Sequence, residues 1–177
     1  LMAPFGPTYN VIMAQACVSL VEGETMQASA AKAGKIDRET YKQIIARKTA
    51  SLFEAGAQMG ASYANASDGV IEALRIYARN LGLAFQIVDD ILDIVGDPET
   101  LGKPVGNDLA QGAGVVLAQN GKKTVTGTTI AAEEADPIKV MMRKLRDSGA
   151  IELAMAQARE LSDRAHEALD SVPDSPA

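Results

Sequence analysis

The stretch FQIVDDILDIVGD, Phe85–Asp97, closes a helical pattern that a capping Ser67 or Asp68 opens and Gly96 ends. Apolar residues cover most of its circumference, which predicts a central, buried helix. Yet Asp89, Asp90 and Asp93 fall in its last two turns. Asp89 and Asp93, at i and i+4, share a face. With Gly82, Gln86, Asp90 and Asp97 they form one polar or small stripe. Phe85, Ile87, Val88, Ile91, Leu92, Ile94 and Val95 take the opposite faces.

This stripe works against its own helix. Asp costs several tenths of a kcal/mol per interior position relative to Ala, by order of magnitude. The negative end of the helix macrodipole adds roughly 0.3–1 kcal/mol for each anion. No basic residue lies between Asn80 and Asp97 to offset either cost. Clustered carboxylates therefore point to a positive partner. Oxygen donors without neighbouring His or Cys select hard divalent cations, Mg²⁺ foremost. The residues alone leave a solvated or ion-paired face as the alternative. Because Mg²⁺ commonly bridges a few carboxylates to substrate phosphates, Lys48 and Lys103 become candidates for a phosphate clamp with the stripe.

The surrounding chain reads as helices joined by short connections. One is expected from Thr8 to Ala33, with Gly23 marking close packing or a kink and Gly34 a stop. Asp37 caps a second that runs to about Gly60. Residues Gly96–Gly106 have loop composition, and 107–135 give no clear pattern. A short helix is expected from Pro137 to Arg146 and a last one from Ala150 to Ser171, with residues 172–177 fraying. The expectation is one all-α domain over 1–177, an antiparallel helical bundle.

Composition agrees and excludes some functions. Hydrophobic residues make up 47% of the 177, aromatics only 4%, and Trp is absent, which favours helices over sheet. A net charge of −6 without a basic stripe argues against a nucleic-acid partner. No apolar run reaches transmembrane length. Cys17 lies in an apolar run and is expected to be a small buried side chain, which suits a cytoplasmic, reducing setting.

Several segments resemble the trans-isoprenyl (polyprenyl) diphosphate synthases. FQIVDDILD, followed by a GK-containing loop and GND, resembles that family's second aspartate-rich motif. GETMQ, Gly23–Gln27, and YKQIIARKTASLF, Tyr41–Phe53, resemble upstream segments in the family's order. The resemblance spans about residues 10–112 well and the remainder loosely.

It implies an isoprenoid-synthase-type bundle in which an allylic diphosphate condenses with isopentenyl diphosphate in isoprenoid biosynthesis. It implies Mg²⁺ as cofactor, up to three ions bridging to diphosphate. Asp89, Asp90 and Asp93 take the metal-binding positions, and Asp89, Asp90 and Lys48 are the catalytic residues it implies. Lys48, Thr49, Gln86 and Lys103 are the substrate-binding positions, and Asp108 is either structural or a support behind the residues that touch substrate and metal. The family's first aspartate-rich motif is not in this sequence, so the chain alone is expected to be inactive, the C-terminal part of an enzyme whose complete form is a homodimer or hetero-oligomer. At Ala113 many members have Lys or Thr, which removes one expected diphosphate contact. The alternatives are a non-catalytic partner or regulatory subunit of a heteromeric prenyltransferase, and a helical interaction domain whose stripe is only surface.

Overall fold

The computed structural model describes residues 6–33, 36–96 and 137–174. Every regular element among them is helical: α1 (Pro7–Ala33), α2 (Arg38–Ile45), a π-helical turn (Ala46–Ala50), α3 (Ser51–Tyr63), α4 (Asp68–Val95), α5 (Pro137–Asp147) and α6 (Ala150–Leu169). The bundle is antiparallel where its side-chain pairs fix direction. Tyr41, Thr49 and Glu54 meet Asp90, Gln86 and Arg75 in turn, so α2–α3 runs opposite to α4. α6 packs along another side of α4, making α4 the spine.

Local chemistry sets the helix ends. Asp37 Oδ1 accepts from the Thr40 backbone N–H at 2.7 Å. That N–H, with the Thr40 hydroxyl, holds the Asp37 carboxyl below the usual carboxylate range. Ser67 caps α4, accepting from Val70 N–H at 3.5 Å, and Gly96 follows its last turn. Gly149 stands at φ +73° between α5 and α6, a backbone conformation that glycine adopts without Cβ strain.

The main core gathers Tyr41 and Ile45 of α2, Ile87, Ile91 and Ile94 of α4, Met142 and Leu145 of α5, and Ala150, Ala154 and Ala158 of α6. The alanines on α6 let it approach α4 closely. A smaller cluster joins Ile12 and Ala16 of α1 to Ala55 of α3.

Several expectations change. The second helix is not uniform: Ser51 N–H reaches back five residues to Ala46 O, opening a π-helical turn, and the helix continues to Tyr63. α4 is not buried all round, since Leu81, Phe85, Leu92 and Val95 lie on an exposed flank. Its buried wedge instead includes two of the aspartates, Asp90 and Asp93, beside Ile87, Ile91 and Ile94. Cys17 is exposed, because it falls on the outer face of α1 while Ile12 and Ala16 face inward. Gly23 marks close packing, as described below. α5 ends at Asp147 and α6 at Leu169. The loop expected over Gly96–Gly106, the segment 107–135, Lys103, Asp97, Asp108 and Ala113 lie outside the described residues beyond Gly96, as do the last three positions of the tail. Val172 N–H still donates to Leu169 O at 2.8 Å. No described helix is long and apolar enough to cross a membrane.

Candidate active site

The π-helical turn is where three helices converge. It is clasped between two glycines on different helices. A Cβ on Gly23 of α1 would stand 2.6 Å from Lys48 N, and a Cβ on Gly82 of α4 would stand 2.8 Å from Ala50 Cα. Neither helix could approach this backbone so closely with any larger residue. The wide turn presents Lys48 towards α1 and Thr49 towards α4, so adjacent residues serve different helices.

Lys48 Nζ donates to Gln27 Oε1 at 3.0 Å and pairs with Glu24 Oε1 at 3.2 Å. Both acceptors belong to GETMQ, one helical turn apart on α1. On the other side, Thr49 Oγ1 donates to Gln86 Oε1 at 2.6 Å. The Gln86 amide then donates to Asp90 Oδ1 at 2.8 Å. Asp90 Oδ2 accepts from the Tyr41 hydroxyl in a buried hydrogen bond. Gln27, Tyr41, Lys48, Gln86 and Asp90 border one small cavity of about 30 Å³, closed by isoleucines. Such a space suits about one water molecule.

The three aspartates diverge. Asp93 is 2% and Asp90 8% exposed, whereas Asp89 is only partly buried. Asp90 lies about 100° around the helix from Asp89 and turns into α2. Among the described residues, no group of three or more His, Cys, Asp or Glu side chains converges to hold a metal ion. The structure thus gathers Lys48, Thr49, Gln86 and Asp90 around one turn, with Asp89 partly buried one residue earlier.

Sequence reasoning missed several partners. Tyr41 stood at the head of a quoted segment without a role. Glu24 and Gln27 were visible only as same-face polar residues in GETMQ. Arg146 gave no signal: from α5 it reaches the last turn of α4, donating to Ile94 O through Nη2 at 2.6 Å and Nε at 3.2 Å. It places a positive group at the negative end of the α4 dipole. A separate groove of about 570 Å³ lies between α2, α4 and α6, rimmed by Arg38, Lys42, Arg79 and Arg164; it contains none of the expected site residues and shares only Tyr41 and Ile45 with the small cavity.

The family model described as polyprenyl synthetase matches residues 7–135. The chain belongs to the polyprenyl synthetase family. Members similar to it include the geranylfarnesyl diphosphate synthase of Aeropyrum pernix, 30% identical over 92% of this chain and 52% of that protein. The octaprenyl diphosphate synthase of Escherichia coli is 32% identical over 93% of this chain and 54% of that protein. Among solved structures, a polyprenyl synthase from Caulobacter crescentus, complexed with calcium and isoprenyl diphosphate, superposes with a TM-score of 0.82 at 33% identity. That match covers 96% of this chain and 55% of the other. The chain spans about half the length of the curated relatives it matches. The all-α polyprenyl-synthase fold implied by the sequence resemblance is the one observed.

Proposed function

We propose that this chain contributes the second aspartate-rich wall of a cytoplasmic prenyltransferase that joins an allylic diphosphate to isopentenyl diphosphate. The observation that carries the reading is the Thr49–Gln86 hydrogen bond of 2.6 Å. It ties the KTA turn to the DDILD helix, bringing two distant family segments to one place. Sequence membership over residues 7–135 supports the same assignment.

In this reading Asp89 offers the outward carboxylate, with Asp90 and Asp93 behind it. The donors are all oxygen and no imidazole or thiolate joins them, a set that fits Mg²⁺. A site of one or two carboxylates plus substrate oxygens is also how proteins usually hold this ion, so a full protein cage is not required. When bound, Mg²⁺ supplies Lewis-acid stabilisation of the departing diphosphate. Lys48 gives the diphosphate a positive point charge, held ready by Gln27 and Glu24. Thr49 and Gln86 fix the orientation of the turn against α4, and Lys103 adds a second cation from the segment beyond α4. Leu81, Phe85 and Leu92 give the apolar flank on which an isoprenoid chain lies, excluding water.

The test is calorimetric. Inorganic diphosphate with Mg²⁺ should raise the thermal midpoint, and Asp89→Asn or Lys48→Ala should abolish that rise; at a hundredfold excess over Kd the stabilisation is about 2.7 kcal/mol. No rise for the parent chain refutes the site. Elongation of an allylic diphosphate by the chain alone would refute the need for a second wall.

A further inference from the structure

We propose that Tyr41 is a positioning residue for the aspartate-rich helix, and that Asp90 serves as a brace inside the bundle rather than as an outward metal ligand. The inference rests on the reading of the site as a metal–diphosphate site.

Three features lead to it. Tyr41 is buried in the main core, with Ile45 and Ile87 among its neighbours, so its ring is fixed by packing before its hydroxyl bonds anything. The hydroxyl donates to Asp90 Oδ2, and Gln86 Nε2 donates to Asp90 Oδ1 at 2.8 Å, so each carboxylate oxygen is engaged by protein. The space beside Asp90, about 30 Å³, takes about one water and not an ion carrying its own waters. Asp89, one residue earlier, is more exposed.

The brace also has a direction. An amide has one donor end and one acceptor end. With Gln86 Nε2 committed to Asp90, Oε1 is left to accept from Thr49 Oγ1. Tyr41 thus sets Asp90, Asp90 sets the face of Gln86, and Gln86 sets Thr49, next to Lys48. Removing the Tyr41 hydroxyl takes the hydrogen bond at Oδ2 from Asp90 and so loosens the series through Gln86 to Thr49.

The experiment uses the full chain and titrates Mn²⁺ with inorganic diphosphate by calorimetry at low temperature. Tyr41→Phe keeps the ring and removes only the hydroxyl. It should weaken binding by about tenfold, the worth of one charge-assisted hydrogen bond, even where the variant is fully folded. It should also shift the Gln86 side-chain amide signal in an NMR spectrum of amide-labelled protein. Asp90→Asn should weaken binding to a similar degree, and Asp89→Asn should abolish it. A merely structural Tyr41 would lower the thermal midpoint and leave both the affinity and the Gln86 signal unchanged, which overturns the proposal. Loss of binding in Asp90→Asn as complete as in Asp89→Asn overturns the brace. If the parent chain binds neither ion nor diphosphate, the metal–diphosphate reading itself falls, and this inference with it. Binding by the parent with equal binding by Tyr41→Phe refutes Tyr41 alone.

Discussion

Gly23 of α1 faces the backbone of Lys48 so closely that a Cβ on the glycine would stand 2.6 Å from Lys48 N. The cation of the proposed phosphate clamp is therefore held from behind by helix packing as well as from its tip by Gln27 and Glu24.

Gly23→Ala should force α1 away from the turn. Overpacking of this kind costs about 1–3 kcal/mol, and the atoms in the way are backbone, which cannot rotate aside. Gly56→Ala is the matched control, since nothing lies within 4 Å of its new methyl; replacing that helical glycine should stabilise by about 0.4–1 kcal/mol. Urea unfolding of both variants measures the difference, and equal effects would refute the clasp.

Gly82→Ala tests the opposite jaw. Its Cβ would meet Ala50 Cα at 2.8 Å and Phe53 Cγ at 3.2 Å. Beyond a destabilisation of about 1–3 kcal/mol, it should stretch the Thr49–Gln86 bond. Diphosphate affinity in Mg²⁺ should fall more than in an equally destabilised variant elsewhere in α4.

Arg146→Met should expose the role of the guanidinium at the end of α4. It removes two donors from Ile94 O and a positive charge from the negative end of the dipole. A loss of about 1–2 kcal/mol is expected, smaller in high salt because the charge contribution is screened. Denaturant midpoints at low and high salt give the comparison; a salt-independent loss would assign the effect to packing.

Asp37 gives a pH signature. Its folded carboxyl titrates below the ordinary Asp value, because Thr40 donates to the ionised form. The unfolded state therefore binds the proton first as pH falls. The cap's stabilisation is complete above the ordinary Asp value and is lost as pH falls through the lower folded value. Asp37→Ala should lower stability at neutral pH and flatten the acid limb of the stability–pH curve. A variant curve parallel to the parent's throughout would refute the linkage.

Glu54 joins Arg75 and Arg79 of α4 to α3, and its hydrogen bond raises the Arg75 guanidinium further above its ordinary value. Glu54→Gln should cost about 1 kcal/mol in thermal unfolding, held low because Arg75 is 35% exposed and water replaces part of the pairing.

The helices were legible because their caps and periodicities are local. Asp37 and Ser67 each precede a helical run and each caps it. The π-helical turn was not legible: ARKTA has ordinary helical composition, and the two glycines that clasp it lie on other helices. The aspartates were recognised as a group, but their fates differ because of what each meets. Asp90 turns inward because Tyr41, far away in sequence, presents a hydroxyl there. Arg146 was invisible for the same reason, since the carbonyl it serves lies in another helix. Phe85 and Leu92 read as core from hydrophobicity alone, yet they are exposed among the described residues. Periodicity identifies an apolar face without saying what lies against it.

The π-helical turn amounts to one residue more than a regular α-helix of the same rise would hold. Deleting one residue between Ala46 and Ala50 would therefore mend the helix rather than break it. The mended helix would regain regular hydrogen bonds, and its two halves would keep roughly their present phase, because the wide turn already absorbs the additional residue. Tyr41 would still meet Asp90, and Phe53 would still face Phe85. What would go is the bulge itself, the backbone that now carries Lys48 to α1 and Thr49 to α4. A shorter chain would thus be the better helix and the worse site.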